Sequence, residues 1–244
     1  MILTAHQPVY LPWLGLFHKI AISDAFCYFN DVQYQVKDWN NRNKIKTNQG
    51  PVWLSVPVLT KGYREKKFWQ IEINNTVDWR KKHWRTIYLN YKKTPFFDKY
   101  AAGLENFYKR DWRYLSDLNE AMLKWFLEQL NIKVDYYKAA DLHLKGYKED
   151  LVLDMCQKLK SDIYIFGALG KDYAHREKFA GQGIKIYFQD YEHPVYRQVG
   201  KDFLPYMSII DLLFNEGDKS LEILLSGNIT KQDLINNQKL YASQ

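Results

Sequence analysis

The sequence predicts an α/β protein with a mostly parallel sheet flanked by helices. One observation is the opening MILTAHQPVYLPWLGLFHKI, in which a short apolar run is followed by two prolines and then by helix-forming residues. Another is that short apolar runs alternate with helical periodicity both near the start of the chain and after residue 148. Strand, helix and strand within about thirty residues form a βαβ unit, and such units build parallel sheets.

The first elements follow from local sequence. Residues 2–5 are apolar and few, as in a buried strand, and residues 24–29 have the same character. Between them, residues 13–21 can form a helix, because Pro12 suits a first helical turn, where no intrahelical partner for its nitrogen is needed. Together these segments predict the first βαβ unit.

The middle of the chain has two predicted strands, residues 52–58 and 68–73, joined by a basic loop at 61–64. From 78 to 133 the apolar spacing becomes helical, which predicts a helical insert or subdomain. The α/β alternation then returns, with helices near 148–159, 176–180, 208–214 and 221–225, strands at 163–166 and 185–188, and a polar tail from Thr230. We expect a single domain spanning residues 1–244.

Composition narrows the class of protein. Hydrophobic residues make up 46% and charged residues 26% of the 244 residues, which are ordinary globular values. The chain has no apolar run near the roughly 20 residues of a membrane span, and its start lacks the pattern of a secretory signal. We therefore expect a cytoplasmic protein without a membrane span. Its two cysteines indicate neither a disulfide scaffold nor a metal site.

Charge and aromatic content indicate a ligand class. The formal net charge of +7 favours an anionic ligand, such as nucleic acid, a nucleotide sugar or phosphopantetheine. The chain also carries 19 Tyr, 13 Phe and 8 Trp. Aromatic side chains fill cores, but Tyr and Trp also form walls that stack on planar or sugar ligands. Composition alone leaves both uses open.

The segment HQPVYLPW is the first candidate binding loop, because it lies where a parallel strand ends and a helix begins. Ligands collect at that edge of open α/β sheets, and helix N-termini attract anions. We expect Pro8 to fix the loop so that His6 and Gln7 contact a ligand, with Tyr10 and Trp13 as an apolar wall. The alternative is a rigid turn whose histidine is buried and hydrogen-bonded in the core.

A second candidate follows the next predicted strand, at NDVQY. Asp31 could orient or deprotonate an imidazole, or bind a ribose hydroxyl, with Gln33 and Tyr34 as substrate contacts. The same aspartate could equally cap the following turn.

The third candidate is residues 38–46, in which amides, an aromatic ring and cations alternate. Arginine and lysine suit phosphates, and asparagine suits sugar hydroxyls. The segment predicts a ligand loop with contacts from Trp39, Asn41, Arg42, Asn43 and Lys44. The alternative is a solvated basic face.

Two later segments also follow predicted strands. Gly-Ala-Leu-Gly-Lys at 167–171 allows close approach of backbone to a ligand, although it lacks the spacing of a phosphate-binding P-loop. We include Lys171, Asp172 and Tyr173 as substrate contacts. At 193–198 the sequence His-Pro-Val-Tyr-Arg-Gln echoes the opening loop, so two histidines could serve as base and acid. The expected contributors there are His193, Tyr196 and Gln198.

Taken together, these blocks resemble the WbqC-like protein family. The resemblance rests on HQPVYLPWLGLFHKI, NDVQY, WNNRNKIKTNQGPVWLSVPV, WRKKHW at 79–84, GKDY at 170–173, and HPVYRQ with SIIDLLFN from 208. It covers nearly the whole chain in order. One departure is Asn30, where we expect relatives to carry a second aspartate; this argues against a paired-carboxylate metal site.

The resemblance implies a role in O-antigen or related polysaccharide biosynthesis, with glycyl or other aminoacyl transfer to an amino sugar. We therefore expect an acyl or aminoacyl transferase acting on the amino group of a dTDP- or UDP-linked amino sugar. His6 or His193 would be the base, Asp31 its orienting partner, and Gln7 or Asn41 an oxyanion donor.

The sequence does not distinguish two kinds of acyl donor. One is a thioester on coenzyme A or on an acyl carrier protein, and the other is aminoacyl-tRNA. No further cofactor is assigned. The alternatives are an ATP-using ligase or nucleotidyltransferase of the same pathway and a non-enzymatic module that binds RNA or sugar. The sequence gives no oligomeric state.

Overall fold

The computed structural model describes residues 1–237 and 241. In chain order, the strands are β1 (Ile2–His6), β2 (Ala25–Tyr28), β3 (Arg42–Thr47), β4 (Gly50–Ser55), β5 (Asp135–Lys138), β6 (Ile163–Phe166) and β7 (Lys185–Phe188). The helices are α1 (Leu14–Ala21), α2 (Trp79–Tyr91), α3 (Phe97–Lys109), α4 (Leu115–Gln129), α5 (Ala139–Leu142), α6 (Glu149–Lys158), α7 (Arg176–Ala180), α8 (Ile209–Glu216), α9 (Ser220–Leu225) and α10 (Lys231–Asn236). Residues 238–240 and 242–244, which belong to the expected 1–244 unit and its polar tail, lie outside the described residues.

A five-stranded sheet in the order β5-β2-β1-β6-β7 organises the chain, and each of its neighbouring pairs is parallel. The predicted α/β class is therefore confirmed. His6 pairs with Tyr28 and Phe166 pairs with Phe188, so the carboxyl ends of four strands meet at one edge. This is the edge that the sequence motifs were expected to share.

Both faces of the sheet are covered by helices. Along β2, Phe26 and Tyr28 join a core with α1, α4 and α8, whereas Ala25 and Cys27 join a second core with α6 and α7. Alternate residues of a strand point to opposite faces, so a strand buried on both faces is apolar throughout. Both cysteines are free thiols buried in this second core.

The segment 78–133 contains α2, α3 and α4, which matches its helical spacing. The segment before it differs from the prediction. Phe68–Gln70 is a short 3-10 helix, not part of a strand, and β4 pairs with β3 as an antiparallel hairpin. Part of this hairpin was predicted to be a ligand loop. In β3, Asn43 and Ile45 are buried while Arg42 and Lys44 are partly exposed, which is the alternation of a strand with one buried face.

The sequence did not predict the short helix α5, the edge strand β5 or the helix α10. The edge strand β5 reads Asp-Tyr-Tyr-Lys and is only partly buried, so its hydrophobic signal is weak. The tail contains α10, whose amino end is capped by Thr230 and Asp233. None of the helices in the described part of the chain has the length and apolar character needed to cross a membrane.

Candidate functional site

A cavity of about 590 Å³ lies at the carboxyl edge of the parallel sheet. It is bounded by the ends of β1, β6 and β7, by α1 and by the segment around Trp39. Its walls are largely aromatic and apolar, and include Trp13, Trp39, Leu16 and Phe166. A volume of this size accommodates a ligand of nucleotide size.

The opening loop supplies one wall of this cavity. His6 and Gln7 line it and are partly exposed, while Pro8 is buried beneath them. The loop is held by neighbouring amides, since Asn40 Nδ2 donates to the carbonyl of Pro8 at 2.8 Å. Likewise, Asn43 Nδ2 donates to the carbonyl of Leu11 at 2.5 Å. Asn43, predicted as a substrate contact, is therefore a buried support of the loop.

The tautomer of His6 follows from its neighbour. Its Nδ1 lies 2.8 Å from the carbonyl oxygen of Gln7, and since a carbonyl only accepts, Nδ1 carries the hydrogen. Nε2 is left with its lone pair and makes no hydrogen bond to another described residue. The pKa of His6 is lowered to about 3 by burial and then by the charge of Lys19, against a smaller opposing effect of the Gln7 carbonyl. The ring is therefore neutral near pH 7, with its edge against Trp13.

Lys19 is a residue of this cavity that the sequence analysis did not single out. It lies on α1 with only 2% of its surface exposed, and Nζ donates to the carbonyl of Ala5 at 2.9 Å. Burial lowers its pKa to about 7. The sequence did contain a signal for it. In the helix LGLFHKIA, Lys19 is the one Lys, Arg, Asp or Glu, and the other residues are apolar apart from His18.

The segment after β7 supplies the second histidine. His193 lines the cavity, and its ring contacts Tyr191 and Tyr206 with centroid distances of 5.0 and 4.3 Å. Burial lowers the pKa of His193 to about 4, so this ring is also neutral near pH 7. Both predicted histidines therefore reach one cavity.

The glycine-containing turn after β6 forms another wall. Gly170 packs so closely on Phe166 that an added Cβ would lie 2.5 Å from the Cβ of Phe166. Tyr173, a predicted substrate contact, lines the cavity. Lys171 and Asp172 were predicted as substrate contacts, but they are exposed and lie outside the lining, because the 3-10 turn over Ala168–Asp172 directs them to solvent.

Asp31 is not placed beside either histidine. Its carboxylate accepts from Trp69 Nε1 at 3.1 Å and pairs with Lys67 at 3.5 Å, outside the cavity. The prediction that Asp31 orients an imidazole is therefore wrong. At His6, the carbonyl of Gln7 accepts the hydrogen bond from Nδ1 instead. The reason is that the chain turns away from the sheet edge after β2.

Gln33 and Tyr34 turn away from the cavity with Asp31. The exposed Gln33 donates to the carbonyl of Arg64 at 3.2 Å. Tyr34 is buried, and its ring contacts Tyr63 and Phe68. Neither residue supports the predicted substrate contact.

Tyr10 was predicted as an apolar wall of the binding loop, and this is wrong. The residue is fully buried, and its hydroxyl lies 2.9 Å from Nδ1 of His83 and 2.7 Å from the hydroxyl of Tyr108. The loop therefore divides its residues: His6, Gln7 and Trp13 face the cavity, while Tyr10 joins the core beside the helical segment.

The β3–β4 hairpin places an aromatic and basic face beside the cavity. Trp39 lines the cavity and lies 5.2 Å from the exposed ring of Trp53, centroid to centroid. The guanidinium of Arg42 lies 4.7 Å over Trp53, and Nζ of Lys44 lies 5.6 Å from both indoles. These cations line the hairpin rather than the cavity. Asn41, a predicted oxyanion donor, instead donates to the carbonyl of Val56 at 2.8 Å.

Tyr196 and Gln198 belong to a different part of the molecule. The hydroxyl of Tyr196 and Nε2 of Gln198 each donate to Oδ2 of buried Asp211 at 2.8 Å, and Tyr91 donates to its Oδ1 at 2.8 Å. These two predicted substrate contacts thus satisfy a buried carboxylate whose pKa is raised by burial. They border a separate groove of about 790 Å³.

Among residues 1–237 and 241, no group of three or more His, Cys, Asp or Glu side chains is arranged to hold a metal ion.

The fold and cavity define an α/β protein with a ligand-sized pocket at the carboxyl edge of a parallel sheet, walled by indoles and containing two neutral histidines and a buried lysine. The chain belongs to the WbqC-like protein family, whose model matches residues 7–223. It is similar to the uncharacterized protein Rv1507c of Mycobacterium tuberculosis (strain ATCC 25618 / H37Rv), with 34% identity over 220 residues, covering 89% of this chain and 95% of that protein. No solved structure matches it.

Proposed function

We propose that the protein is a transferase that moves an acyl or aminoacyl group onto the amino group of a nucleotide-linked amino sugar. The observation that carries the proposal is the convergence of His6, Gln7 and His193 in one indole-walled cavity. Such a reaction needs a base for the ammonium proton, a donor for the oxyanion, and a surface that holds two substrates together.

His6 supplies the base in this mechanism. Its Nδ1–H is fixed by the Gln7 carbonyl, so the lone pair of Nε2 is free to accept a proton. The amino sugar reacts as the free amine, after its first ammonium proton is lost to solvent, and attacks the acyl carbonyl to form a tetrahedral intermediate. The nitrogen of this intermediate is positively charged and far more acidic, and it gives its second proton to Nε2 of His6. The carbonyl then re-forms as the bond to the thiolate or tRNA oxygen breaks, and the proton passes from His6 by way of His193 to that leaving atom.

Gln7 is the oxyanion donor. Its side-chain amide lines the cavity and makes no hydrogen bond to another described residue, so its N–H groups are available to a ligand. Stabilising the charge that develops on the carbonyl oxygen is a large term in acyl transfer, worth about 2.7–4 kcal/mol for one well-placed donor.

Trp13 and Trp39 suit the nucleotide and sugar rings of the acceptor. The centroids of these two rings lie 5.9 Å apart. The ring of Trp39 also contacts that of Trp53, which lies outside the cavity. Lys44 and Arg42 flank this aromatic series, where they can contact phosphate oxygens. The donor would be a coenzyme A or carrier-protein thioester or aminoacyl-tRNA, and a UDP- or dTDP-linked amino sugar would be the acceptor.

The test is a transfer assay on the purified protein. UDP- and dTDP-linked amino sugars are incubated with acetyl-CoA, an acylated carrier protein or glycyl-tRNA, and mass spectrometry detects the acylated sugar. We expect His6→Gln to lower the transfer rate about 100-fold or more, and His193→Gln to lower it as well. The control is His175→Gln, since His175 is exposed and outside the cavity. Full activity of His6→Gln would refute its role as the base.

A second candidate, an RNA- or sugar-binding module without catalysis, is favoured by the exposed Trp53 stacked under Arg42. An aromatic ring flanked by cations is the arrangement on which single-stranded nucleic acid stacks. Filter binding of RNA at increasing salt separates the two candidates. Binding of RNA with a steep loss of affinity in salt, together with no transfer by any donor, would favour the module.

A further inference from the structure

The cavity contains a buried ammonium group without an anionic partner. Lys19 is 2% exposed, and it takes part in none of the ion pairs formed among residues 1–237 and 241. Buried charges in proteins are ordinarily paired or bound to a ligand, because their removal from water is otherwise strongly unfavourable. The position of Lys19 therefore needs an explanation beyond packing.

The hydrogen bonds of Lys19 are also incomplete. An ammonium group has three N–H donors, and the carbonyl of Ala5 takes one of them at 2.9 Å. No other described residue is hydrogen-bonded to Nζ, and Lys19 borders the cavity rather than a closed core. Two donors are thus available to a molecule that enters the cavity.

The other charged and titratable groups in the cavity do not neutralise Lys19. His6 on β1 is neutral near pH 7, and the carboxylates of Asp38 and Asp190 are on exposed residues. Besides these, the cavity is lined by the titratable side chains of Tyr164 on β6, Tyr173 after β6, and Tyr191, His193 and Tyr206 after β7. On α1 itself, His18 is hydrogen-bonded to Gln189 and to the carbonyl of Ile229.

We infer that Lys19 is the receptor for an oxyanion of the ligand, a phosphoryl or carboxylate group, and that this ligand binds with uptake of a proton. The inference rests on the proposed function only in taking the same cavity as the substrate site. A single ammonium among aromatic walls attracts an oxyanion strongly, because little water is present to screen the charge. An oxyanion supplies both the charge and the acceptors that the free protein lacks.

Proton uptake follows from the free state of the lysine. Burial lowers the pKa of Lys19 to about 7, so at pH 8 most of the free protein carries a neutral amine there. An oxyanion beside Nζ favours the charged form, so binding draws a proton from the buffer. The same anion offsets the charge that helps to lower the pKa of His6, which would make His6 a better base when the ligand is bound.

The inference is tested by isothermal titration calorimetry of the full chain at pH 8, in buffers with different ionisation enthalpies. The phosphoryl probe is UDP-N-acetylglucosamine, whose diphosphate does not titrate in this range, the carboxylate probe is acetate, and the uncharged probe is uridine. We expect an anionic probe to bind with uptake of more than half a proton, and its affinity to fall up to tenfold for each pH unit above 8. Uridine should bind without uptake.

Lys19→Met should weaken binding of the anionic probe at least tenfold and abolish the proton uptake, while Lys61→Met, on an exposed loop residue, should change neither. Uptake with UDP-N-acetylglucosamine identifies a phosphoryl ligand, and uptake with acetate alone identifies a carboxylate. Tight anion binding without proton uptake by the natural protein would overturn the inference, and this result does not depend on how well the variant folds. Failure of every transfer assay would remove the proposed function but leave the proton uptake measurable.

Discussion

The buried ammonium of Lys19 should make the stability of the free protein depend on pH, in a direction fixed by the sign of its pKa change. The pKa falls from 10.5 to about 7 on burial, so the folded state holds this proton more weakly than the unfolded chain. Unfolding is therefore favoured wherever the unfolded lysine is protonated. The destabilisation is complete below about pH 7 and disappears as the pH rises towards 10.5.

Lys19→Met removes this dependence. From the two pKa values, the destabilisation is about 5 kcal/mol at pH 6 and about 2 kcal/mol at pH 9. The variant loses the hydrogen bond to Ala5, which costs about 1–3 kcal/mol at either pH. Replacing Lys19 should therefore raise the free energy of unfolding more at pH 6 than at pH 9. The difference between the variant and the natural protein should fall by about 3 kcal/mol over this range. In the fold His6 is neutral over this whole range, and the protonation of its unfolded form near pH 6 is the same in both proteins, so it cancels in this difference.

The measurement is urea unfolding followed by tryptophan fluorescence, in phosphate-free bis-tris propane buffer so that no buffer anion occupies the cavity. Lys61→Met, which removes an exposed charge, is the matched control and should track the natural protein at every pH. A difference between Lys19→Met and the natural protein that stays constant from pH 6 to pH 9 would refute the reasoning. It would mean that Lys19 stays charged in the fold and has a partner.

Three further predictions test the placement of individual residues. Gly170→Ala should lower the free energy of unfolding by about 1–3 kcal/mol in urea titrations, because its Cβ would lie 2.5 Å from that of Phe166; unchanged stability would argue against the tight turn. Asp31→Asn should leave the pKa of His6 unchanged in NMR titrations, since Asp31 lies outside the cavity; a change of half a unit or more would restore the predicted pairing. Tyr10→Phe should lower the free energy of unfolding by about 1–3 kcal/mol, because its hydroxyl is shared by two buried partners; a neutral effect would contradict that network.

The parallel sheet was predictable because its signals are local. The strands β1, β2 and β6 are buried on both faces and largely apolar, and β7 alternates buried and more exposed residues. The short apolar runs and the helical periodicity between them can both be recognised in the sequence. The rule that parallel strands end at one edge then placed His6 and His193 in one cavity without further information.

The residues that were placed wrongly share a different physical origin. Asp31, Tyr34 and Tyr196 have chemically versatile side chains, but their partners are distant in sequence: Trp69, Phe68 and Asp211 respectively. Whether a hydroxyl or carboxylate faces a ligand or a buried partner depends on these long-range contacts, which spacing does not encode. Lys19 was missed for the converse reason, since a lysine in a helix is ordinarily exposed.

The structure shows how the opening loop is held in place. His6 and Gln7 must face the cavity while Tyr10 and Leu11, a few residues later, are fully buried, and Leu11 has a left-handed backbone with φ of 46°. Such a conformation costs a β-carbon-bearing residue about 1–2 kcal/mol, and it persists only where the surroundings enforce it. Those surroundings are the prolines and the carbonyl contacts of Asn40 and Asn43. Asn43, which was predicted to hold a ligand, therefore holds the loop, and the loop in turn fixes the carbonyl of Gln7 that sets the tautomer of His6.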